Sequence, residues 1–141
     1  MATFVSAANP NRRQHGREPL LLDVDKLPPL QAVAGADGTA EVVAPQVSAG
    51  EQWQVTRIHV ASQSSGASAS VHIGKEATDR TEVDSTAAGN GDSAEYNGQD
   101  GLVVPSGETL RIKWEGATEG DVCTAQVQYR KMSFIDVQTQ G

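Results

Sequence analysis

The sequence has a single cysteine, few aromatic residues and no long hydrophobic run. Because Cys123 has no second cysteine to pair with, an internal disulfide framework and a cysteine-based zinc cluster are both excluded. No apolar run is long enough to span a bilayer, and none near the first residue resembles a signal peptide. The sequence therefore predicts neither a disulfide-rich secreted domain nor a membrane protein.

Catalytic signatures are also missing. The chain has no Gly-x-Ser-x-Gly nucleophile elbow, no phosphate-binding glycine loop and no cysteine–histidine pair in a supporting context. His59 and His72 lack the spacing of a metal site and are expected on strand surfaces. The acidic residues between 76 and 100 lack the fixed spacing of a calcium loop, so a solvated loop is expected there. We therefore predict that the protein is not an enzyme and uses no metal or other cofactor.

Acidic residues outnumber basic ones, and the two signs are unevenly distributed. The 141 residues include 18 Asp and Glu against 11 Lys and Arg, a formal net charge of −7. Residues 1–35 carry four basic and three acidic side chains, so this front segment is +1 and the body is −8. An acidic body is repelled by phosphates, which disfavours nucleic acid as a partner. Arg12, Arg13 and Arg17 are instead expected to pair with acidic sites on a neighbouring subunit.

The most informative pattern occurs twice. Val47-Ser48-Ala49-Gly50-Glu51 is echoed by Val104-Pro105-Ser106-Gly107-Glu108, and alternating polar and apolar positions follow each segment. The glycine permits a chain reversal, and the alternation places one face of the next strand against a core. The echo therefore predicts two equivalent corners of one sandwich, each leading into a strand with a tryptophan, Trp53 or Trp114.

Further alternating segments predict more strands, separated by turn residues. The predicted strands are residues 39–44, 52–61, 67–73, 81–86, 102–104, 110–114 and 123–129. The second of them changes its apolar phase, which predicts a β-bulge near Thr56–Arg57 or a strand covered on both faces. Cys123 lies in the last alternation and is expected to be a buried small hydrophobic residue. Together these features predict an all-β protein, an antiparallel β-sandwich of jelly-roll type.

The front of the chain lacks this alternation and is predicted to be an extended N-terminal arm, residues 1–37. Asn9-Pro10-Asn11 and Leu27-Pro28-Pro29-Leu30 interrupt regular structure. Such a terminus is usually disordered by itself, whereas docking against another subunit supplies buried contacts. We expect docking. The predicted partner-binding residues are Arg12, Arg13, Arg17, Leu20, Leu21, Leu22, Leu27 and Leu30.

The sandwich domain is predicted to cover residues 38–132, followed by a C-terminal tail at 133–141. Residues 75–101 are the least regular part of the domain and carry turn signals and acidic side chains. In a protein that recognises a host glycan, this loop would be the recognition surface, with a tyrosine for stacking. The candidate contacts are Asp92, Glu95 and Tyr96.

Three segments resemble small jelly-roll structural proteins of tailed bacteriophages. They are residues 53–60, 104–114 and 127–130, within a likeness that covers roughly residues 38–132. The resemblance lies in the strand pattern, because Pro-x-Gly-Glu-x-Leu strand entries occur in several viral β-sandwiches. It implies a non-enzymatic virion component, either a capsid decoration or a minor capsid protein that binds and stabilises an assembled protein lattice.

The resemblance also implies partners and a location. The partners would be the major capsid protein or other virion subunits, with a homotrimer as the favoured oligomer and neither nucleic acid nor membrane involved. The location would be the virion, after synthesis in the host cytoplasm. The alternatives are a neck or tail structural protein, or a fibre-type module that recognises a host glycan. No functional residue is carried over, because these families are defined by shape and assembly.

Overall fold

The computed structural model describes the backbone of residues 17–96 and 101–136 and the side chains of residues 26–96 and 101–133. These ranges form ten β-strands and contain no helix, so they contain none that could cross a membrane. The strands are β1 (Arg17–Lys26), β2 (Leu30–Val33), β3 (Ala40–Val43), β4 (Glu51–Ser62), β5 (Ser68–Glu76), β6 (Asp79–Thr86), β7 (Asp92–Glu95), β8 (Leu102–Val104), β9 (Thr109–Glu115) and β10 (Val122–Asp136).

The strands form two antiparallel sheets that pack against each other, which confirms the predicted β-sandwich. In the first sheet β10 and β4 are central; β1 and β2 pair with successive parts of β10. In the same way, β7 and β8 pair with successive parts of the far edge of β4. The second sheet has the order β3-β9-β5-β6. Each sheet is therefore four strands wide, with β1/β2 and β7/β8 each occupying one strand position.

The core lies between the sheets and is built from alternate residues of the central strands. Leu110, Ile112 and Trp114 of β9 are each 1% exposed or less. Cys123 at the start of β10 is 0% exposed, as predicted, with its Sγ atom 3.3 Å from Ser62 Oγ. Burial of apolar surface contributes about 25 cal/mol per Å², so these fully covered side chains dominate the stability of the sandwich.

β4 contains the predicted bulge. Gln128 of β10 lies opposite Arg57, whereas the next residue, Tyr129, lies opposite Val55, so Thr56 is the extra residue. One inserted residue reverses which side chains face inward. The apolar residues of both phases are therefore buried in a single strand, on either side of the bulge.

The two echoed segments lie against each other at one end of the sandwich. Gly50 and Gly107 have φ values of +78° and +80°, a conformation that glycine adopts without steric cost. In each turn, the residue after the glycine donates its N–H to the residue two positions before the glycine, at 3.1 Å. Between the turns, the Val47 carbonyl accepts the Gly107 N–H at 2.8 Å, and the Val47 N–H donates to the Glu108 carbonyl at 3.0 Å. The repeat in sequence is thus a pair of bonded corners.

The predicted arm differs from the structure over residues 17–33, where β1 and β2 pair with β10. Pro28 and Pro29 interrupt the pairing where predicted, but the chain then resumes along the same strand. Leu27 is buried in this chain's own core, and Leu30 packs against that core. Contrary to the prediction, neither leucine is therefore available to a partner. The partner of this segment is β10, about one hundred residues away in sequence, which no local pattern reveals.

The predicted C-terminal tail differs in a similar way. β10 continues to Asp136, and its last residues pair with β1 beyond the point where β4 begins at Glu51. Residues 133–136 therefore belong to the sheet. The rest of the predicted tail, residues 137–141, lies outside the described residues.

Candidate functional site

One side of the sandwich carries a cleft between the edges of its two sheets. On this side β6 is the edge strand of the second sheet and β7 is an edge strand of the first. We name the space between them the β6–β7 cleft; its volume is about 130 Å³. Its floor is made by the core-facing side chains Ile58 and Val60 of β4 and Ala69 and Val71 of β5. Its rim includes Asp84, Thr86, Asp92 and Tyr96.

The strand register explains why polar residues surround an apolar floor. Val71 pairs with Asp84, and Val60 pairs with Asp92. Because cross-strand partners point to the same face of a sheet, both aspartates point inward at the sheet edges. In β6 the register shifts by one at Val83, and this bulge turns Asp84 toward the cleft while Val83 stays 43% exposed.

Two hydrogen bonds span the cleft from one sheet to the other. The Tyr96 hydroxyl donates to Asp84 Oδ2 at 2.7 Å, and the Thr86 hydroxyl donates to Asp92 Oδ2 at 2.6 Å. Burial and the adjacent Asp84 raise the pKa of Tyr96, so its hydroxyl stays protonated and donating. The Thr86 hydroxyl and the Ser93 N–H hold the pKa of Asp92 below its usual range, which keeps that carboxylate charged.

The connection between β6 and β7 is fixed by Gly89. Its N–H donates to the Ala67 carbonyl at 2.8 Å, and its own carbonyl accepts the Trp114 Nε1–H at 2.9 Å. A Cβ at this position would lie 2.8 Å from the Ala67 carbonyl oxygen, so only glycine fits without displacing backbone. The cleft is therefore held between edge strands whose connection is anchored to the core.

The structure brings together two of the three predicted glycan contacts. Asp92 and Tyr96 both line the cleft, whereas Glu95 is exposed and alternates to the other face of β7. Tyr96 is half-buried and its hydroxyl is hydrogen-bonded to Asp84. The prediction gave Tyr96 an open ring for stacking, whereas the ring is partly covered. Strand β7 itself was not predicted, because the inward position at Asp92 is polar and hides the alternation.

A second polar cluster lies on the outer face of the second sheet. Glu41 accepts hydrogen bonds from Arg80 at 2.6 Å and from Arg111 at 3.2 Å. Arg80 reaches across β5 beside Gly74, which lies opposite it and has no side chain to block the path. Burial would raise the pKa of Glu41, but the two guanidinium groups outweigh it and leave the pKa below its usual range. This cluster ties the edge strand β6 to the opposite edge strand β3.

The predicted histidines occupy strand surfaces. His59 Nδ1 lies 2.6 Å from Ser93 Oγ, and His72 Nε2 lies 2.8 Å from Ser70 Oγ. Burial, with a further contribution from Arg80, lowers the pKa of His72. Among the residues that the structure describes, no group of three or more His, Cys, Asp or Glu side chains is placed to hold a metal ion.

Apart from Leu27 and Leu30, the predicted arm contacts divide into two groups. Arg12 and Arg13 lie outside the described residues. The backbone of residues 17–22, which include Arg17 and three leucines, forms part of β1, and the structure does not describe their side chains. Those leucines are Leu20, Leu21 and Leu22.

Comparisons with protein-family models, with curated proteins and with solved structures give no match.

Proposed function

We propose that this chain is a non-enzymatic structural protein of a virion, a capsid decoration or minor capsid protein that binds an assembled protein lattice and stabilises it. The observation that carries the proposal is the pairing order of the strands. β1/β2 pair with β10, β3 with β9, β4 with β7/β8, and β5 with β6. The chain thus follows the path of one long antiparallel ribbon whose tip is the β5–β6 hairpin.

This ribbon supports the finer assignment of a jelly roll. Its four pairs alternate between the sheets: β1/β2–β10 and β4–β7/β8 lie in the first, while β3–β9 and β5–β6 lie in the second. Wrapping one ribbon around a core in this way is the winding that double-sheet jelly rolls use, and such domains are common among viral capsid proteins. The pairing order therefore agrees with the sequence resemblance to phage virion proteins.

The edge strand β1 offers a physical means of attachment. It extends over ten residues, Arg17–Lys26, and over residues 17–25 the one described strand that pairs with it is β10. An edge with unpaired N–H and C=O groups accepts an extended segment of a partner as an additional strand. In a homotrimer, several such edges would engage the lattice together, and linked weak contacts give strong retention.

Quantitative analysis of particles tests this function. Virions of the phage that encodes the chain are purified through a density gradient, washed in high salt and analysed by quantitative mass spectrometry. We expect a fixed ratio of this chain to the major capsid protein, and particles of lower thermal or osmotic stability when its gene is deleted. A ratio near that of the capsomers indicates decoration, and a ratio of a few copies per particle indicates the neck or tail. Recovery only in the soluble lysate would contradict the proposal.

A further inference from the structure

We propose that the β6–β7 cleft accepts the N-terminal segment, residues 1–16, of a neighbouring copy of this chain. The inference concerns how copies join one another, which goes beyond lattice binding and does not depend on it. Three observations carry it: the size and lining of the cleft, the charge around it, and the composition and attachment point of the segment.

The cleft has the dimensions of a side-chain pocket. At about 130 Å³ it is smaller than the roughly 300–1,000 Å³ of sites that enclose small-molecule ligands. Its floor is aliphatic, and its tyrosine hydroxyl is already bonded to Asp84. Such a pocket suits one or two apolar side chains of a peptide better than an oligosaccharide, which needs an open aromatic face and several free hydrogen-bonding groups.

The surroundings of the cleft are acidic. β6 and β7 together carry five acidic residues and one basic residue, Arg80. Arg80 is turned away to Glu41 on the outer face of the second sheet, so it does not neutralise the cleft. Asp84 and Asp92 form the rim, whereas Glu82, opposite His72, and Glu95, opposite Arg57, lie on the outer faces of the two edge strands. An extended partner along this edge is therefore selected for positive charge.

Residues 1–16 have the complementary composition. The segment contains no acidic residue, and it contains Arg12 and Arg13 together with the apolar pair Phe4-Val5. Phe4 suits the aliphatic floor, while its neighbour Val5 points to the opposite face of an extended segment. The two arginines follow after Asn9-Pro10-Asn11 and suit the exposed carboxylates along the edge, where guanidinium forms paired hydrogen bonds.

The attachment point favours a neighbouring copy over the same copy. Arg17 lies opposite Asp136 of β10, whereas Ile58 of the cleft floor lies opposite Val127, about 30 Å away along the strand. The cleft is also three strand positions across the sheet from β1, roughly 14 Å. From Phe4 to Arg17 the chain spans at most about 45 Å when fully extended. The two components combine to a direct separation of about 33 Å, so reaching its own cleft requires the segment to extend to about three-quarters of its maximum length, before any detour around the surface.

A peptide titration tests the proposal on the purified protein without any particles, so its outcome is separate from that of the virion experiment. A variant lacking residues 2–16 keeps the residues of all ten described strands, and a labelled synthetic peptide of residues 1–16 is titrated into it. We expect saturable one-to-one binding and shifts of the backbone amides of β6 and β7 by NMR. The double variant Asp84→Asn/Asp92→Asn is expected to weaken binding at least tenfold, as are peptides with Phe4→Ala or with both arginines replaced by alanine.

The matched control removes the same charge elsewhere. Glu115→Gln/Glu119→Gln changes two carboxylates in and after the end of β9, and we expect it to leave peptide affinity within about twofold, apart from general screening. Absence of saturable binding, amide shifts away from the cleft, or equal weakening by both double variants would overturn the proposal. So would displacement of the peptide by sugars from a glycan panel. A full-length chain that stays monomeric at all concentrations while rejecting the peptide would place the segment in its own cleft instead.

Discussion

Val47 and Gly107 are joined through their backbones: the Val47 carbonyl accepts the Gly107 N–H at 2.8 Å. The bond connects the first echoed segment to the second, and the Ser106 hydroxyl adds a bond to the Glu51 carbonyl. Two segments with similar sequence therefore form similar turns that stabilise one another. They set the end of the sandwich from which β4 and β9 carry their tryptophans into the core.

Alanine at either corner glycine is expected to destabilise the fold. Gly50 and Gly107 both have φ near +80°, where a side chain costs roughly 1–2 kcal/mol. A Cβ added at Gly66 would meet no atom within 4 Å, and the φ of Gly66 is not in the left-handed region. Gly66→Ala is therefore the reference variant, with an expected stability within about 0.5 kcal/mol of the parent. Urea unfolding measures all three. Corner variants as stable as the reference would show that the turns do not constrain the fold.

Alanine at Gly89 is expected to destabilise by a different mechanism. Its Cβ would approach the Ala67 carbonyl oxygen and force the β6–β7 connection away from the sandwich, at roughly 1–3 kcal/mol. Trp114→Phe separately removes the indole N–H donor to the Gly89 carbonyl, and we expect a loss of about 1–3 kcal/mol. Thermal unfolding measures both. A Gly89→Ala variant with an unchanged melting temperature would refute the tight contact.

Removing the Glu41 carboxylate is expected to destabilise the second sheet. In Glu41→Gln, Arg80 and Arg111 lose their shared anion, and both arginine side chains are largely covered, at 17% and 15% exposure. Allowing for solvent screening, we expect about 1 kcal/mol, decreasing as salt is added. Glu115→Gln is the control, because Glu115 is 63% exposed in its ion pair with Lys113 and should contribute almost nothing. Equal effects of the two substitutions would contradict a specific role for Glu41.

Stability is expected to fall as the pH decreases through 6.5. His72 has a lowered pKa because burial and Arg80, with Lys113, outweigh the attraction of Glu82 and Glu41. Below the ordinary pKa of 6.5, His72 is therefore protonated in the unfolded chain more readily than in the folded chain. The free energy of unfolding decreases as the pH falls through this range. His72→Gln should flatten this part of the curve. A further decrease should follow below pH 4.5. The pKa of Glu41 is lowered in the folded chain, so the unfolded chain takes up a proton at Glu41 more readily and the free energy of unfolding falls. A wild-type curve that is flat between pH 7 and 5.5 would contradict the assignment.

The sequence predicts most of the sandwich because its central strands have one buried face. β5, β9 and β10 alternate regularly, and β4 alternates on both sides of Thr56, so local periodicity is enough to find them and the bulge. The two corners follow from the glycines, whose conformational freedom is a local property.

The missed elements depend on long-range pairing. β1 contains three consecutive leucines and becomes a strand only by pairing with β10, so its sequence resembles an extended arm. β7 has an inward aspartate at the sheet edge, where an acid is tolerated because Thr86 bonds to it. The cleft could not be predicted for the same reason, since it exists only where β6 and β7 approach from different sheets.

The most direct test of the central claim is rebinding to particles. Virions from a strain lacking this gene are mixed with increasing amounts of the purified full-length chain, and bound protein is measured after sedimentation and by cryo-electron microscopy. We predict saturable occupancy at a fixed, symmetry-related position, with bound chains increasing the temperature at which the particles lose their nucleic acid. Unsaturable or absent binding, with no density added at any repeated position, would contradict a structural role on an assembled lattice.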